Sequence, residues 1–592
     1  MPDPIRMVDD GRGRRPSTEP VAVSHMSTEI NKTGSWKYIR PVFRDRVSPC
    51  NEGCPVGVDV EGYMALLREG RIDEAVDLLA REHPMPAVTG RVCNHPCEDR
   101  CHRGHFDGAV AIHAVERMLG DRLLAGPLPQ PTVDPKAEAV AVVGSGPAGL
   151  ACAYHLARLG YRVDVVEREE QPGGMLRYGI PEYRLPRAVL DRQIAHIEAL
   201  GVTIHCGGRV TEASWPSLRE RYAAVFFATG ADIARPLGVP GEELKGVWQG
   251  LAFLRQVNAG ERPKLGERVA VIGGGNTAMD CARTALRLGA HPVVVYRRTR
   301  AEMPAIPDEI EDAEREGVEF VFLAAPKGFE GEQGRVAGVA CSRMALGEPG
   351  PDGRRQPVPT GEEFVVPVDA VLLATGEDPE MGPLPDTLAR NGGIAVDQWG
   401  ATSLPQVYAG GDVAGDERTV ARALGAGKRA AIGIDRALRL RRGDALPAKS
   451  TRPLRWGKDG APSISRWRRD DPVRRTGSVN EVVPLEDINF AHFQRVARHE
   501  DGRAQADAQA PFAEVNRGLA DDVALAEAGR CFNCAVCTGC EVCLIFCADV
   551  AIHRLDGDTG PRLQIDQDYC KGCGVCAQEC PRGAISMTRE GI

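Results

Sequence analysis

The sequence predicts an α/β protein with two dinucleotide-binding domains, one nested inside the other, between an α-helical N-terminal domain and a small α+β C-terminal domain. Three observations support this prediction. A glycine-rich turn follows an apolar strand near residue 144, and a second such unit begins near residue 268. The third observation is that many of the 19 cysteines concentrate at the two ends of the chain. Strands that alternate with helices favour parallel sheets, whereas clustered cysteines favour small metal-stabilised domains.

The composition is ordinary for a globular protein. Apolar residues make up 43% and charged residues 26% of the 592 residues, and a chain of this length forms about three to five domains. The sequence contains no run of about 18 apolar residues and no apolar signal-peptide core, so we expect neither a membrane span nor secretion. Cysteines without a secretion signal indicate metal and redox chemistry in a reducing cytoplasm. The net charge of −9 disfavours nucleic acid as a partner.

The first glycine-rich unit begins at Ala139 and ends in a second apolar strand that stops before Glu167. Strand, turn, helix and terminal acid are the context in which a G-x-G-x-x-G motif indicates a dinucleotide site. Glycines let the backbone approach a pyrophosphate, the helix N-terminus favours its charge, and Glu167 can accept a hydrogen bond from a ribose hydroxyl. The candidate residues of this turn are Gly144, Ser145, Gly146, Pro147, Ala148 and Gly149.

The second unit begins at Arg268, and its second strand ends in two arginines instead of an acid. An acid would bind the free 2′-hydroxyl of NAD, whereas arginine pairs with a 2′-phosphate, so Arg297 and Arg298 favour NADP(H). The alternative is a surface pair of arginines at a strand end, without a ligand. The candidate residues of this turn are Gly273, Gly275, Asn276 and Thr277.

Three further segments complete the pattern of a flavoprotein. Residues 227–230 and 373–376 each end an apolar run and begin a crossing loop, and residues 408–412 precede a helical pattern from Thr419. One dinucleotide domain inserted into another resembles the two-dinucleotide-binding-domain flavoprotein reductases. This resemblance implies FAD in the first domain, with Asp412 bonded to the ribityl chain. The candidate residues that these segments add are Thr375, Gly376, Asp412, Thr419 and Val420.

Eight cysteines near the C-terminus follow the spacing C-x2-C-x2-C-x3-C twice. This doubled run is typical of a ferredoxin with two 4Fe-4S clusters, in which the fourth cysteine of each run crosses to the other cluster. Ala548 stands where a proline usually follows the first run, which affects the local turn more than the ligands. The alternative is zinc, which also binds C-x2-C pairs but does not need eight cysteines in this arrangement. The expected ligands are Cys537, Cys540, Cys543 and Cys580 for one cluster, and Cys547, Cys570, Cys573 and Cys576 for the other.

The N-terminal cysteines lie in two segments, CNEGCPVGVDVEGYM from residue 50 and TGRVCNHPCEDRC up to residue 101. Together with QPGGMLRYGIPEYRLP at 171–186, GGGNTAMD, VYRR and AGGD, these segments resemble the small subunit of glutamate synthase. They are also similar to the reductase half of dihydropyrimidine dehydrogenase. The resemblance implies FAD, NADPH and N-terminal 4Fe-4S clusters. It also implies that Cys54, Cys93, Cys97 and Cys101 hold one cluster and that Gly174, Leu176 and Arg184 contact the flavin.

The sequence departs from this family at one point. Family members carry an R-C-x2-C pair shortly before the cysteine that matches Cys54, whereas residues 31–47 contain no cysteine here. A matching segment, EAGRCFNC, stands at residues 527–534 instead. The family's other cluster also uses a residue that matches Glu116. We therefore expect Cys50, Glu116, Cys531 and Cys534 to form a cluster that joins the two ends of the chain; the alternative is that Cys531 and Cys534 are spare thiols.

These observations divide the chain around two nested Rossmann-like domains. The predicted order is a disordered tail (1–30), an N-terminal helical Fe–S domain (31–134), an FAD-binding domain in two parts (135–265 and 381–440) around an NAD(P)H-binding domain (266–380), a basic linker (441–520) and a two-cluster ferredoxin-like α+β domain (521–592). Residues 436–475 are rich in lysine and arginine. We interpret them as a solvated linker; the alternative is a docking strip for an acidic redox partner.

The predicted function is electron transfer between NADPH, FAD, three to four 4Fe-4S clusters and a partner. A flavin is needed because nicotinamides carry two electrons and clusters carry one. The hydride step requires orientation of its reactants, so we expect no catalytic acid or base. Because the chain has no room for a substrate barrel, the partner is expected to be a ferredoxin or a separate catalytic subunit in a cytoplasmic hetero-oligomer. A 2-oxoacid:ferredoxin oxidoreductase or an aldehyde oxidoreductase would be an example.

Two other functions remain open at this point. The chain could be the small subunit of an NADPH-dependent glutamate synthase that feeds a glutamine amidotransferase subunit, although the extra C-terminal domain disfavours this. It could also be a non-catalytic scaffold with vestigial nucleotide sites. The intact Gly144, Gly146, Gly149 and Glu167 disfavour the scaffold.

Overall fold

The computed structural model describes most of the chain. The described residues are 7–9, 14–16, 32–131, 138–351, 353–390, 392–415, 417–447, 454–469, 480–504, 510–555 and 563–589. The predicted disordered tail lies outside them, except for a short antiparallel pair, Met7–Asp9 with Arg14–Pro16. No helix among the described residues combines the length and apolar character that a bilayer crossing requires.

The N-terminal domain is helical, as the sequence predicts. Three of its helices begin with proline. Proline has no amide hydrogen, and at this position an amide would have no hydrogen-bond partner within the helix. The Asp59 side chain caps another by accepting a hydrogen bond from the Gly62 amide. The helices are Pro49–Gly53, Val60–Arg68, Ile72–Glu82, Pro86–Val92, Pro96–Asp99 and Ile112–Ala125, with a 3-10 turn at His102–His105.

The first dinucleotide domain is built on a five-stranded parallel sheet. Its central strand, Ala139–Val143, has four buried residues, which explains the unbroken apolar run in the sequence. The strands, in spatial order, are Val407–Ala409, Ala224–Phe227, Ala139–Val143, Arg162–Val166 and Val202–His205. The helices are Pro147–Arg158, Met175–Tyr178, Arg187–Glu198, Trp215–Arg221 and Val420–Arg442. A short pair, Ala389–Arg390 with Gly393–Ile394, and a 3-10 turn, Asp386–Leu388, lie beside it.

The second dinucleotide domain is a separate five-stranded parallel sheet inserted into the first. Its strands, in spatial order, are Glu319–Phe322, His291–Tyr296, Arg268–Ile272, Ala370–Leu373 and Val247–Gln249. Its helices are Gly250–Asn258, Asn276–Arg287 and Pro307–Glu316, with a 3-10 turn at Arg300–Glu302. An antiparallel sheet of Ala324–Glu332, Arg335–Pro349 and Arg355–Pro367 packs beside it.

Two crossing strands, Ala231–Ala234 and Glu377–Pro379, pair antiparallel where the chain leaves and re-enters the first domain. The strand Val247–Gln249 pairs with Ala370–Leu373 and therefore belongs to the second sheet. The boundary expected at residue 265 thus moves toward residue 235. This edge strand has only three residues and carries no motif, so its sheet is decided by tertiary pairing.

The long helix Val420–Arg442 joins the first dinucleotide domain to the N-terminal domain. A Cβ at Gly425 would lie 2.0 Å from the Pro55 carbonyl oxygen, and one at Gly427 would lie 2.2 Å from the Ala148 carbonyl oxygen. Glycine is therefore required for the helix to touch both neighbours. The fully buried Lys428 ammonium lies 2.6 Å from a Glu82 carboxylate oxygen, which fastens the two domains together.

The segment expected to be a basic linker is packed along the other domains wherever it is described. The Trp456 indole donates to the Gly57 carbonyl oxygen at 3.1 Å, and the Ser463 hydroxyl donates to Glu82 at 2.5 Å. Arginines of the basic segment have partners within the chain, for example Arg439 with Asp435 at 2.9 Å. The elements of the linker are the helix Ile464–Arg468, the 3-10 turns Leu485–Asp487 and Phe490–His492, and the paired strands Gly502–Arg503 and Asn516–Gly518. Lys449, Arg452, Arg474 and Arg475 lie outside the described residues.

The C-terminal domain includes a strand from the other end of the chain. Ile39–Phe43 pairs antiparallel with Ile585–Arg589, and the preceding 3-10 turn, Thr33–Trp36, lies against the same domain because the Thr33 hydroxyl donates to the Tyr569 carbonyl oxygen at 2.5 Å. Residues 33–43 therefore leave the helical domain expected at 31–134, since their pairing partner is remote in sequence. The remaining elements are the helices Val542–Ile545 and Val575–Gln578 and the paired strands Ile552–Arg554 and Leu563–Ile565.

Conversely, the helix Asp521–Gly529, from the C-terminal part of the chain, packs in the N-terminal domain. Its Ala524 and Ala528 are buried in the core of the N-terminal domain, and the Glu527 carboxylate accepts a hydrogen bond from the Ala111 amide at 2.8 Å. The two ends of the chain are therefore interlocked, each contributing an element to the domain of the other.

Candidate functional site

A cavity of about 310 Å³ lies where the first glycine-rich turn, the second dinucleotide domain and the N-terminal domain meet. A Cβ at Gly146 would have no neighbour within 4 Å, so the backbone is open to a ligand there. Opposite, a Cβ at Gly174 would lie 2.8 Å from the Gly146 Cα, so these two glycines allow two loops to close around the cavity. The predicted residues that line the cavity are Gly144, Ser145, Gly146, Pro147, Ala148, Glu167, Gly174, Arg184, Asn276, Thr277, Asp412, Thr419 and Val420.

Glu167 both shapes the turn and faces this cavity. Its carboxylate accepts hydrogen bonds from the Ser145 amide at 2.8 Å, from the Ser145 hydroxyl at 2.5 Å and from the Glu169 amide at 2.9 Å. A carboxylate has about four acceptor positions, so a ribose hydroxyl can still donate to it. Gly149 acts from behind the turn: a Cβ there would lie 1.9 Å from the Gly144 carbonyl oxygen, so only glycine allows the helix to start this close to the strand.

Asp412 is a half-buried residue that lines the same cavity. Burial raises the pKa of Asp412 to about 6, and the nearby Arg418 opposes that rise. Thr419 caps the following helix by accepting a hydrogen bond from the Arg422 amide at 3.2 Å. A buried carboxyl group needs a hydrogen-bond donor, and the hydroxyls of a ribityl chain are suitable donors. The residues present therefore fit FAD: the turn at Gly146 would receive the pyrophosphate, and Asp412 would accept from the ribityl hydroxyls.

Three other predicted cofactor residues have structural partners of their own. Leu176 is fully buried in the core. The Thr375 hydroxyl donates to the Arg235 carbonyl oxygen at 2.9 Å, and Gly376, whose φ of 99° suits glycine, accepts a hydrogen bond from the Arg235 amide at 3.0 Å. Thr375 and Gly376 thus hold the crossing strands together.

Arg184 is held by the second dinucleotide domain, although it also lines the cavity. Its guanidinium lies 2.8 Å from Asp280 and 2.9 Å from Glu309. Burial raises the pKa of Asp280 to about 6, and Arg184 opposes that rise. Asp280 also lines the cavity and was missed as a site residue, although it ends the motif GGGNTAMD. Arg184 and Asp280 therefore fix the angle between the two dinucleotide domains.

The second glycine-rich turn is tightly packed on its inner side and open on its outer side. A Cβ at Gly273 would lie 2.3 Å from the Ala374 carbonyl oxygen, whereas one at Gly275 would have its nearest neighbour at 4.0 Å.

The two arginines that follow the adjacent strand differ in their exposure to solvent. Arg297 is exposed, whereas Arg298 is buried and donates to the Arg355 carbonyl oxygen at 2.7 Å. The exposed Arg297 is therefore the better candidate for a 2′-phosphate.

The cysteines near the two ends of the chain converge into four groups. We name them the inner set, the bridging set, the proximal set and the distal set. The inner set is Cys54, Cys93, Cys97 and Glu116, and the bridging set is Cys50, Cys101, Cys531 and Cys534. The proximal set is Cys537, Cys540, Cys543 and Cys580, and the distal set is Cys547, Cys570, Cys573 and Cys576.

The bridging set lines a small pocket between the N-terminal helices and the segment 531–534. Burial raises the pKa of Cys50 well above its ordinary value, and Cys531 and Cys101 raise it further. The predicted meeting of Cys50 with Cys531 and Cys534 is therefore present in the structure. Four partly buried thiols in one pocket form a donor set suited to iron.

Two expected ligands lie in the opposite set from the one predicted. Cys101 was expected with Cys54 but lies in the bridging set, and Glu116 was expected with Cys50 but lies in the inner set. Cys101 precedes the 3-10 turn His102–His105, which carries its side chain into the pocket of the bridging set. Glu116 lies on the helix Ile112–Ala125, and its carboxylate accepts a hydrogen bond from the Thr89 hydroxyl at 2.6 Å, next to Cys93. Helix geometry and one short turn thus decide which donor joins which set, and the sequence spacing alone does not reveal it.

A buried hydroxyl without a partner accompanies the inner set. Tyr63 is fully buried, and its hydroxyl has no hydrogen-bond partner among the described residues. Burial raises the pKa of Tyr63 well above its ordinary value, and Glu116, Cys97 and Cys54 raise it further. A buried polar group needs a partner, and a cluster sulfur beside these residues would supply one. The inner set therefore fits an iron–sulfur cluster.

The proximal and distal sets follow the predicted crossed arrangement. Cys580, the last cysteine of the second run, raises the pKa of Cys543 in addition to the effect of burial, and Cys547 lines the pocket of the distal set. The two crossing cysteines make matching contacts, because Cys547 accepts from the Ala551 amide and Cys580 from the Ala584 amide, both at 3.3 Å. The replacement of proline by Ala548 does not alter this symmetry.

The inner set is adjacent to the flavin cavity. Val92 and Asn94, the two neighbours of Cys93, both line that cavity. Asn94 was not predicted as a site residue, although its position between Cys93 and Cys97 was a possible signal. One segment therefore contributes a cysteine of the inner set and, through the two neighbours of that cysteine, part of the cavity wall.

Comparison with protein families agrees with this division. Residues 138–430 match the pyridine nucleotide-disulphide oxidoreductase family. Residues 45–126 match domain II of dihydropyrimidine dehydrogenase, which is described as a 4Fe-4S cluster domain. Residues 563–586 match the 4Fe-4S binding domain family.

The chain is also similar to curated proteins over most of its length. It is 38% identical to the beta subunit of an NADP(+)-dependent formate dehydrogenase from Moorella thermoacetica, over 82% of this chain and 70% of the relative. It is 37% identical to the beta subunit of an NADPH-Fe(3+) oxidoreductase from Geobacter sulfurreducens, over 82% of this chain and 75% of the relative. The small chain of the NADPH-dependent glutamate synthase from Azospirillum brasilense is 36% identical, over 65% of this chain and 85% of that protein.

Proposed function

We propose that this chain, which belongs to the family of NAD(P)H-dependent FAD and iron–sulfur oxidoreductases, is the subunit that links NADP(H) to the redox centre of a partner protein. Its cofactors are FAD, NADP(H) and 4Fe-4S clusters. When bound, FAD exchanges a hydride with the nicotinamide and single electrons with the clusters.

The observation that carries this proposal is the continuity of the sites. Val92 and Asn94 place the inner set beside the flavin cavity. Tyr63 lies near Cys54 and Cys97 of the inner set and near Cys50 of the bridging set. From the bridging set, only two residues separate Cys534 from Cys537, the first cysteine of the proximal set. The four sets thus support an ordered relay from the flavin to the exposed end of the C-terminal domain.

The residues of the chain prepare this relay in two ways. Glu167 and Ser145 hold the turn that receives the pyrophosphate. Arg184 and Asp280 orient the nicotinamide domain relative to the flavin cavity. Orientation is the main requirement for hydride transfer, so no catalytic acid or base is needed for this part of the function.

The relatives named beta subunit and small chain support a hetero-oligomer. We propose that the partner is a catalytic subunit that oxidises or reduces a small molecule, such as formate, a 2-oxoacid or an aldehyde, or a ferredoxin that serves such an enzyme. Cys573 of the distal set and Cys540 of the proximal set are both exposed, so the C-terminal domain is the proposed point of exchange with the partner.

A glutamate synthase small subunit is the second candidate, and the identity of 36% supports it. The bridging set argues against it, because Cys531 and Cys534 lie beyond the motifs that resemble that subunit, the last of which is AGGD at residues 409–412. In this chain the C-terminal domain completes a site of the N-terminal domain, so it is an integral part of the relay.

Anaerobic reduction by NADPH tests the proposal. Purified protein should contain one FAD and four 4Fe-4S clusters, and NADPH should reduce the flavin first and the clusters afterwards. A Cys93→Ser variant should retain flavin reduction but lose the inner cluster and reduce the remaining clusters much more slowly. Absorbance, iron and sulfide content and EPR spectra measure these three outcomes.

Cys206→Ser is the matched control, because Cys206 is exposed and belongs to none of the four sets. It should behave as the wild type. Stoichiometric zinc in place of iron would refute the proposal, as would unchanged cluster reduction in Cys93→Ser after loss of the inner cluster.

A further inference from the structure

One buried cation lies between the bridging set and the proximal set. Arg582 follows Cys580 and Pro581 and is 7% exposed. Its Nε is buried and has no hydrogen-bond partner in the described part of the chain. Within the same described residues, no carboxylate forms an ion pair with its guanidinium. A buried charge requires compensation, so the question is which groups provide it.

Backbone and ring contacts hold Arg582 against the bridging set. Its carbonyl oxygen accepts a hydrogen bond from the Ala535 amide at 2.7 Å, directly after Cys534. Its guanidinium lies 5.5 Å from the centre of the Phe493 ring. That ring packs 4.1 Å from the ring of Phe532, which stands between Cys531 and Cys534. The position of Arg582 is therefore fixed on the side of the bridging set.

Arg582 is also held close to the proximal set, because Cys580 of that set is only two residues away in the chain. The following glycine supports this placement: Gly583 has a φ of 63°, and a Cβ there would lie 2.7 Å from a methyl group of Val483. The Arg46 guanidinium donates to the Gly583 carbonyl oxygen at 2.6 Å. The turn after Cys580 is thus locked by several packing contacts.

The electrostatics agree with this position. Burial lowers the pKa of Arg582, and Cys540, Cys531 and Cys580 oppose that lowering. Arg68 lowers the pKa further; it donates to the neutral Asn533 side chain and is a second cation near Cys531. Sulfur atoms of both the bridging and the proximal set therefore lie close enough to interact with the charge of Arg582.

We propose that Arg582 is a positioning residue for electron transfer, whose charge raises the reduction potentials of the clusters held by the bridging and proximal sets. An electron that reaches either set adds one negative charge beside the guanidinium, and the nearby cation stabilises that charge. Arg582 lies beside the two central positions of the relay, whereas Lys428 and Lys37 act on cysteines of the inner and the distal set. This inference rests on the proposed function, because it requires clusters in both sets.

Replacement of the charge by a neutral side chain tests this role. EPR-monitored redox titrations of Arg582→Gln should show that the equilibrium for one-electron reduction becomes about tenfold less favourable at the two central clusters, which corresponds to about 59 mV. The inner and distal clusters should keep their potentials. Cys→Ser variants of each set assign the signals, and iron and FAD content confirm that the protein is intact.

Two controls separate charge from structure. Arg582→Lys keeps the charge and should keep most of the potential. Arg589→Gln removes an exposed arginine of the strand Ile585–Arg589 and should leave all four potentials unchanged. Unchanged central potentials in Arg582→Gln would overturn the inference, and so would equal shifts in Arg582→Gln and Arg582→Lys. Failure of the proposed function is distinct, because it would appear in the wild type as missing clusters.

Discussion

Arg297 and Arg298 show how neighbouring residues of one type acquire different roles. Both follow the second strand of the NADP(H) unit, which ends at Tyr296, and the sequence cannot separate them. In the structure Arg297 is exposed, whereas Arg298 is buried and holds the Arg355 carbonyl oxygen. A substitution of Arg298 would therefore disturb packing as well as charge, and only Arg297 offers a clean test of the cofactor.

We predict that Arg297→Gln raises the KM for NADPH about ten- to hundredfold, because a hydrogen bond to a charged group contributes about 1.5–3 kcal/mol. The KM for NADH should change little. Steady-state kinetics with both nucleotides measure the difference. Arg300→Gln is the matched control, since Arg300 is also exposed but pairs with Glu314 at 3.0 Å. Equal effects of Arg297→Gln on NADPH and NADH would contradict the assignment of the 2′-phosphate.

At the scale of elements, a buried histidine fastens the linker to the helix Ile112–Ala125. His113 lies 2.7 Å from Glu98 and 2.8 Å from Asp501, which directly precedes the strand Gly502–Arg503. Burial alone would lower the pKa of His113, but Glu98 and Asp501 outweigh it and raise that pKa to about 10. The charged form is thus bound between two carboxylates contributed by different parts of the chain.

This arrangement predicts a pH dependence of stability with a defined sign. A raised histidine pKa contributes stability that is complete below the unfolded value of about 6.5 and is lost as pH rises through about 10. His113→Gln should therefore destabilise the protein by about 3–5 kcal/mol at pH 6 to 7. The difference from the wild type should shrink toward pH 10. Unfolding experiments on the holoprotein across this range measure it.

His205→Gln serves as the control for this prediction. His205 is 56% exposed and lies 3.2 Å from Asp164, so its replacement should change stability by less than about 1 kcal/mol. A penalty for His113→Gln that is the same at pH 10 as at pH 7 would show that packing, and not the charge, is responsible.

At the scale of the whole molecule, the bridging set makes the two ends of the chain one functional unit. Its cysteines come from positions 50, 101, 531 and 534, and the paired strands Ile39–Phe43 and Ile585–Arg589 reinforce the same closure. Binding of one cluster by both ends would therefore stabilise the contact between the domains, because a metal site bound only in the folded state adds to its stability.

We predict that Cys101→Ser and Cys531→Ser remove the same EPR signal and that the double variant loses no more than either single variant. Cys93→Ser should remove a different signal, since Cys93 belongs to the inner set. Iron content should fall by one cluster in each single variant. Loss of the same signal in Cys101→Ser and Cys93→Ser would instead support the grouping expected from the family resemblance.

The sequence by itself determined the fold class, the family and the cofactors. Glycine-rich turns such as Gly144–Gly149 and the doubled cysteine runs are local patterns, and their chemistry depends on spacing within a few residues. Comparison with known proteins confirms these predictions. The displaced segment at 527–534 also led to the expectation that Cys50 meets Cys531 and Cys534, because an unpaired cysteine and a misplaced pair are both visible in the sequence.

Only the tertiary structure decided which donors share a pocket and where the domains end. The exchange of Cys101 and Glu116, the partners of Arg184 and the strand Ile39–Phe43 all depend on contacts between residues far apart in the chain. The burial of Arg582 between two sulfur sets is of the same kind. Such features follow from helix direction, register and packing of remote segments, for which a local pattern carries no information.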